Sequence, residues 1–233
     1  MKVFRKIRHQ LLSKNNVSKY LLYAIGEITL VVIGILIALS INNKNDEISK
    51  RNAEKNFYRN TKQQLLDDAE NVKGQIAYNS IYTDQFKYAI EIIELNERHL
   101  TDSLGSIAVN LTNYSDFDRQ GNIYETMVNS GDIKLLQNDA IIERLRRLEE
   151  TYIYANRMES IHYELVLAIV PDVMESIRLN TNKVENVEYL FGFKFQNLFV
   201  LSLRIMNEKE EVYQRALYEI QEIIDLIEAE LKD

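Results

Sequence analysis

The chain has 233 residues, a formal charge of −7, one proline, seven glycines and no cysteine. Disulfide and thiolate chemistry are therefore excluded, and the scarcity of proline and glycine favours long helices over strands and tight turns. Residues 1–19 carry six positive charges and no negative one, which leaves −13 for the remainder. So acidic a remainder is poorly suited to binding nucleic acid, and we expect no nucleic-acid partner.

The N-terminal segment, residues 1–19, is basic and precedes a long apolar run. Apolar side chains recur every three or four residues from Val3 to Leu12, which predicts a short amphipathic helix lying on an anionic inner leaflet. The alternative is a disordered basic tail that only sets topology, since so short a helix is marginal away from a membrane. Both interpretations make the segment a cytoplasmic tail with cationic interfacial anchors, which are Arg5, Lys6, Arg8 and Lys19.

The apolar run from Tyr20 to Ile41 is twenty-two residues long and contains one charge, Glu27. At ~1.5 Å per residue, a helix of this length covers roughly 33 Å, enough to cross a bilayer core of ~30 Å. We therefore predict a transmembrane helix over 20–41, with the lipid bilayer as a partner. Tyr20 and Tyr23 fit the aromatic belt at the cytoplasmic interface.

The charges that flank this helix predict its orientation. The N-terminal flank is purely basic, whereas residues 42–55 mix basic and acidic side chains. Lysine and arginine are retained on the cytoplasmic side, so we expect a single-pass inner-membrane protein with a cytoplasmic N-terminus and a periplasmic C-terminal part. A cleavable signal peptide is the alternative, because Ala38-Leu39-Ser40 resembles a cleavage site. We favour an uncleaved signal anchor, because the apolar run exceeds the ~7–15 residues of a signal peptide's apolar region.

Glu27, Gly34 and Ala38 are spaced by seven and four residues, so they share one face of the predicted helix. Gly34 and Ala38 form a small-xxx-small pair, which lets a second helix approach closely. Glu27 lies ~10 Å along the helix from Tyr20, where an ionisable group usually faces protein or a water-filled path. We predict that this face packs against a helix of another membrane protein or of a second copy of the chain. Alternatively, the Glu27 carboxylate snorkels to the headgroups near Lys19.

Three N-terminal strings carry a family resemblance: FRKIR at Phe4–Arg8, KYLLYAIGEI at Lys19–Ile28 and LVVIGILIALSINN at Leu30–Asn43. They resemble the N-terminal signature of a family of uncharacterised single-pass membrane proteins from flavobacteria and related bacteria. The later string NIYETMVNSGDIKLLQND, Asn122–Asp139, is similar to a second family segment, with Met127 in place of leucine. The resemblance implies a Gram-negative envelope location and an all-helical outer part. It implies no activity, substrate or catalytic residue, because the family is a domain of unknown function.

Residues 46–233 are long enough to form one domain around a single core. A helical stripe of apolar residues from Phe57 to Ile93 predicts a first long helix that begins at Asp46 or continues from the span, and ends near 96–99. Bends are expected at Gly74 or at Asn79-Ser80. Short helices are predicted over 103–112 and 123–129, with Gly131 in a left-handed C-terminal position.

Two further long helices follow in the sequence. Asn138 or Asp139 is predicted to cap the first of them, and Pro171 to kink or end it near Val170. The last helix is predicted over 195–231. Three long helices with short connections predict an all-α fold, in which the transmembrane helix is followed by an elongated antiparallel helical bundle.

The sequence contains few patterns that indicate chemistry. His9, His99 and His162 are isolated from one another, and His162 is expected to be a packed or hydrogen-bonded core residue. The run Glu208–Glu211 is expected to be a solvated helix face. Tyr78, Tyr82 and Tyr88 could line a ligand groove, although packing explains them as well. We expect no cofactor, no metal site and no enzymatic activity.

Three classes of function fit this organisation. The favoured one is a non-enzymatic membrane protein whose bundle binds a protein partner or self-associates, as a scaffold or accessory subunit. The second is a periplasmic sensory module, which would have to signal through a partner because only nineteen residues precede the span. The third is an accessory subunit of a proton-driven membrane complex, by analogy of layout alone.

Overall fold

The structure is a computed structural model that describes residues 17–117 and 123–232, except for the side chains of Val17, Lys19 and Tyr20. The predicted anchors Arg5, Lys6 and Arg8 lie outside the described residues. The chain divides into two compact units, one ending at Glu54 and the other beginning at Lys55. They are called the N-terminal unit and the C-terminal unit below.

The first helix, α1, runs from Val17 to Glu94 without a break. It therefore includes both the predicted span and the predicted first long helix, and its end lies close to the expected one. No break occurs at Gly74 or at Asn79-Ser80, where a bend or break was expected, because the helix is continuous through these residues. A side chain on Gly74 would meet nothing within 4 Å, whereas Asn79 is fully buried; tertiary packing of the helix outweighs the weak helix propensity of these residues.

Short elements connect α1 to the next long helix. They are a 3-10 turn at Arg98–Leu100, helix α2 at Thr101–Val109, a 3-10 turn at Asn110–Thr112, helix α3 at Ile123–Ser130 and a 3-10 turn at Asp132–Leu135. Gly131 has a φ of 82°, the left-handed conformation that glycine adopts without steric cost. The predicted short helices and the role of Gly131 are thus confirmed.

Helix α4 runs from Asp139 to Ser176, and Asn138 caps it by accepting hydrogen bonds from the backbone N–H groups of Ala140 and Ile141. The cap was predicted, but the end near Val170 was not correct, because the helix continues through Pro171. Proline inside a helix costs about 3 kcal/mol. Burial of the next core residue, Val173, offsets part of this cost.

A hairpin and one short helix connect α4 to the last long helix. Strands β1, Ile177–Arg178, and β2, Lys183–Val184, pair antiparallel. Helix α5 covers Val187–Leu190 and helix α6 covers Phe193–Lys232. Within the described residues these two-residue strands are the only strands, so the chain is almost entirely helical, as predicted.

The core of the C-terminal unit consists of two apolar clusters, each built from α1, α4 and α6. In the first, Leu65 of α1 packs with Leu148 of α4 and Ile220 of α6. In the second, Phe86 of α1 lies with α2, with the end of α4 and with Phe199 of α6. Burying each such side chain contributes about 1.5–3 kcal/mol. The positions between the clusters are occupied by polar side chains.

The start of α4 contacts the end of α6, and the end of α4 contacts the start of α6. Near the start of α4, Asn138 donates to Glu230 at 2.8 Å. Near its end, Asp172 pairs with Lys194 at 2.5 Å. The two helices therefore run in opposite directions, and the polar side chains at their middles face each other.

Candidate functional site

The C-terminal unit contains a polar layer between its two apolar clusters, made of Glu159 and His162 of α4 and Lys209 and Tyr213 of α6. These four side chains are between 0% and 4% exposed. Lysine and glutamate are almost never fully buried unless they are paired. Their position in the middle of a helical core makes this layer the strongest candidate site in the C-terminal unit.

The layer holds a non-helical segment, residues 113–117, which we call the strap. The Lys209 ammonium donates to the Ser115 carbonyl oxygen at 2.8 Å. The Phe117 backbone N–H donates to the Glu159 carboxylate at 2.8 Å, and the Tyr213 hydroxyl donates to the same oxygen at 2.5 Å. Two buried charged side chains thus make the hydrogen bonds that these backbone groups would otherwise make within a helix or strand.

Lys209 also lies against His162, with 3.4 Å between the Lys209 Nζ and the His162 Nδ1. A charged ammonium can only donate, so Nδ1 is the acceptor and the proton of the neutral imidazole is on Nε2. The ring of Tyr114 packs 5.6 Å from the His162 ring, and the Lys209 ammonium lies 5.7 Å from the Tyr114 ring centre. This arrangement requires a neutral His162 beside a charged Lys209.

Burial changes the acid–base properties of the layer. It lowers the pKa of His162 to about 4, with a further contribution from the Lys209 charge. It lowers the pKa of Lys209 to about 8, although Glu159 and Asp116 act in the opposite direction. Burial raises the pKa of Glu159, which hydrogen bonds from Tyr213 and Phe117 partly offset. Burial in this layer thus opposes the charged form of all three groups.

Helix α1 contributes Asn79 to the same level of the core. Gln75, one turn before it, donates to the Asp116 carbonyl oxygen at 2.5 Å, and Thr83, one turn after it, contacts Met206. The Asn79 side chain is fully buried, and its amide has no hydrogen-bond partner among the described residues. Because buried amides are normally hydrogen-bonded, Asn79 marks the least satisfied point of the layer.

The sequence predicted part of this site. His162 is buried and packed, as expected. The expectation that Glu208–Glu211 is a solvated face is wrong at Lys209, which is fully buried. The available signal was spacing, because Lys209 precedes the core residues Tyr213 and Ala216 by four and seven positions. Glu159 likewise follows the core residue Ala155 by four.

Two of the three tyrosines that were considered for a ligand groove are packed together. Tyr78 and Tyr82 pack on each other with ring centres 4.8 Å apart, and burial raises the pKa of Tyr78 to about 12. Tyr88 is 45% exposed. Among the described residues there is also no cluster of three or more histidine or acidic side chains that could hold a metal ion.

In the N-terminal unit the predicted helix-packing face lies on α1. Gly34 and Ala38 are exposed, and Glu27 is half-buried. A side chain added at Gly34 would meet nothing within 4 Å among the described residues. Tyr23 is half-buried like Glu27, whereas the side chains of Lys19 and Tyr20 are not described. The structure thus leaves the small residues of this face accessible.

The large apolar side chains of the predicted span are exposed along α1. They include Leu30 at 75% and Ile28 at 65% exposure. In the described part of the chain, α1 is the one helix long and apolar enough to cross a membrane. The molecule is therefore an almost entirely helical protein with one candidate membrane-spanning stretch near its N-terminus.

The chain belongs to DUF6090, a family of unknown function, which matches residues 27–177. The match begins at Glu27 and includes Glu159 and His162 of the polar layer, but ends before Lys209. No curated protein and no solved structure matches the chain.

Proposed function

We propose that this protein is a non-enzymatic, single-pass inner-membrane protein that associates with another membrane protein or with a second copy of itself. The observation that carries the proposal is the exposed apolar stretch of α1 from Leu21 to Ile41. Exposed apolar patches of this size mark contact with a membrane or with protein. The length of the stretch matches a bilayer core.

The proposed topology has the N-terminus in the cytoplasm and the C-terminal unit in the periplasm. It is supported by the six cations and no anion of residues 1–19, because lysine and arginine are retained on the cytoplasmic side. The opposite directions of α4 and α6 support an antiparallel helical bundle for the C-terminal unit. This bundle would act as a scaffold or accessory subunit that presents its surface to a protein partner.

The association itself is proposed to use the face formed by Glu27, Gly34 and Ala38. Gly34 has room for a neighbouring helix, since nothing in the described part of the chain would meet a side chain there. Small residues allow such close approach, and a polar side chain adds an interhelical hydrogen bond. A carboxyl group within an apolar helix gains from facing protein rather than lipid.

The test is the assembly of membrane-embedded variants, measured by blue-native electrophoresis and chemical crosslinking. Glu27→Gln keeps the hydrogen bonding and should preserve the assembly, whereas Glu27→Leu should weaken it by about 1–2 kcal/mol. Gly34→Ile should also weaken it, because the added side chain blocks close approach. Gly26→Ile is the matched control, since Gly26 is equally open but lies about 100° around the helix from Glu27.

Wild-type assembly in all of these variants would contradict the proposed face. Glu27 would then be a snorkelling residue on a lipid-exposed helix.

A second candidate function is a periplasmic sensory module that signals through a membrane partner. It is favoured by the polar layer, in which a buried histidine contacts a buried lysine at 3.4 Å. Such a contact depends on the protonation state of histidine, the side chain whose ordinary pKa lies closest to physiological pH.

A further inference from the structure

The strap is attached to the C-terminal unit by polar contacts from all three long helices. Lys209 of α6 and Glu159 of α4 bind its backbone at Ser115 and Phe117. From α1, Gln75 donates to the Asp116 carbonyl oxygen and accepts from the Ser115 hydroxyl at 2.9 Å. Among the described residues the strap pairs with no strand. Its Asn113 side chain donates to the Tyr82 hydroxyl at 3.2 Å, and Phe117 is buried in the first apolar cluster. The backbone bonds at Ser115 and Phe117 are the part of its attachment that depends on the charges of Lys209 and Glu159.

The groups that face His162 come from every element around it. Helix α6 supplies the Lys209 ammonium and the neutral Tyr213 hydroxyl, and α4 supplies Glu159 one turn earlier. The strap supplies the neutral Tyr114 ring and the exposed carboxylate of Asp116. Helix α1 contributes only uncharged side chains at this level, namely Gln75, Tyr78, Asn79 and Tyr82.

Protonation of His162 would convert its Nδ1 from an acceptor into a donor that faces the Lys209 ammonium. Two positive charges would then lie 3.4 Å apart in a layer from which water is excluded. Coulomb repulsion at this distance amounts to several kcal/mol at the effective dielectric constant of protein interiors. Movement of the Lys209 ammonium away from His162 relieves the repulsion, but it also breaks the bond from Lys209 to Ser115.

Protonation of Glu159 has the opposite effect, because it favours the closed form of the layer. Its raised pKa means that the closed layer takes up a proton at Glu159 more readily than open solvent would allow. Once Glu159 is neutral, however, the layer has no buried negative charge to offset the positive charges of Lys209 and His162. The lowered pKa of His162, about 4 against 6.5 in water, favours the open form as the pH falls.

We propose that the strap is an acid-released element: protonation of His162 against Lys209 detaches residues 113–117 from the polar layer while α4 and α6 remain folded. The two apolar clusters on either side of the layer join α1, α4 and α6, and only one strap residue, Phe117, belongs to either of them. This device goes beyond the proposed membrane association. It would make the surface of the C-terminal unit respond to the pH around it.

The test uses hydrogen exchange of the Phe117 backbone N–H, which is bound to Glu159 in the closed form. The chain has eight phenylalanines, so the full-length protein labelled with [15N]phenylalanine in a non-ionic detergent gives a small set of amide signals. The Phe199 amide, within α6, reports on global unfolding. Exchange rates are measured at pH 7 and pH 4.5. The protection of an amide is its intrinsic chemical exchange rate divided by its measured rate.

The protection of the Phe117 amide should fall between pH 7 and pH 4.5, by up to the roughly fiftyfold that His162 alone would give, since Glu159 opposes it. The protection of Phe199 should stay well above that of Phe117 at both pH values, because the strap opens while α6 remains folded. His162→Gln keeps an acceptor for Lys209 but cannot be protonated, so its Phe117 protection should no longer fall. If this variant does not fold, as judged by Phe199, His162→Phe replaces it.

Three results would overturn the proposal. They are an unchanged Phe117 protection in the wild type at pH 4.5, an equal loss in a folded His162 variant, and equal protection of Phe117 and Phe199, which would mean that both amides exchange only by global unfolding.

Discussion

In the N-terminal unit, α1 exposes leucine, isoleucine and valine side chains around its circumference. In the C-terminal unit, the same helix buries its apolar stripe, and its neighbours α4 and α6 bury a lysine, a histidine and a glutamate. Each arrangement would be unfavourable in the other setting. Exposed leucine is costly in water but not in lipid, and a buried lysine is tolerated where carbonyl and carboxylate oxygens surround it. The same helix α1 therefore suits a lipid environment in the N-terminal unit and a packed protein core in the C-terminal unit.

The largest expected effect comes from placing charge on the exposed face of the N-terminal unit. The double substitution Val32→Arg and Leu36→Arg should prevent stable membrane insertion, since each arginine at the centre of a span costs about 2.5–3.5 kcal/mol. The measurement is the fraction of protein that resists extraction from membranes with alkaline carbonate.

The matched control adds two arginines to exposed positions of the C-terminal unit, Ile81→Arg and Ile153→Arg, which are both 58% exposed. This variant should remain in the membrane fraction. Equal loss in both variants would show that charge, and not the removal of a lipid-facing surface, causes the effect.

The second prediction concerns the polar layer. Lys209→Ala should lower the free energy of unfolding of the C-terminal unit by about 3 kcal/mol, because it removes the hydrogen bond to the Ser115 carbonyl oxygen and leaves a cavity in the core. Urea denaturation followed by far-UV circular dichroism measures this change. Glu211→Ala, two residues away on the exposed side of α6, should change stability by no more than about 0.5 kcal/mol.

The third prediction uses the same lysine in alkaline solution. The folded pKa of Lys209 is about 8, below its ordinary value of 10.5. Between these values the unfolded chain binds more protons than the folded one, so stability rises with pH. The free energy of unfolding should increase by about 2 kcal/mol between pH 7.5 and pH 9.5.

Lys209→Met lacks the titrating group, and its stability should not rise over this interval. A rise of the same size in Lys209→Met would assign the effect to another residue.

The smallest effects concern two glycines of the C-terminal unit. A Cβ on Gly105 would lie 2.5 Å from the Val184 side chain, so Gly105→Ala should destabilise the unit by about 1–3 kcal/mol through overpacking. Gly74→Ala, in an open position of α1, should stabilise it by about 1 kcal/mol through helix propensity. Thermal unfolding measures both changes in stability, which should have opposite signs. Val184→Ala combined with Gly105→Ala should recover part of the lost stability.

Local chemistry made several features predictable from sequence. Asn138 was expected to cap α4, because a side-chain oxygen can accept from the first free N–H groups of a helix. Gly131 was expected in a left-handed turn, because other residues adopt it at a steric cost. The apolar stripes of α4 and α6 were recognisable by their spacing. These signals depend only on residues that are close in sequence.

Features that depend on distant contacts were not predictable in the same way. Asn79 and Pro171 were expected to disturb their helices, yet packing against other elements keeps both helices intact. Lys209 stands in a run of charged residues that indicates a solvated face, and its partners Ser115 and Glu159 are far away in sequence. The spacing of Lys209 from Tyr213 and Ala216 is that of the core side of α6, whereas its charge and its charged neighbours are typical of the solvated side.

The central claim is that α1 crosses the membrane once, with the C-terminal unit outside the cytoplasm. Fusing alkaline phosphatase after Asp233 tests it most directly, because this enzyme folds to an active form only outside the cytoplasm. We predict an active fusion protein, and we predict that moving the positive charges of residues 1–19 to the other flank reduces that activity. An inactive phosphatase fusion, together with a fluorescent cytoplasmic reporter at the same position, would contradict the account.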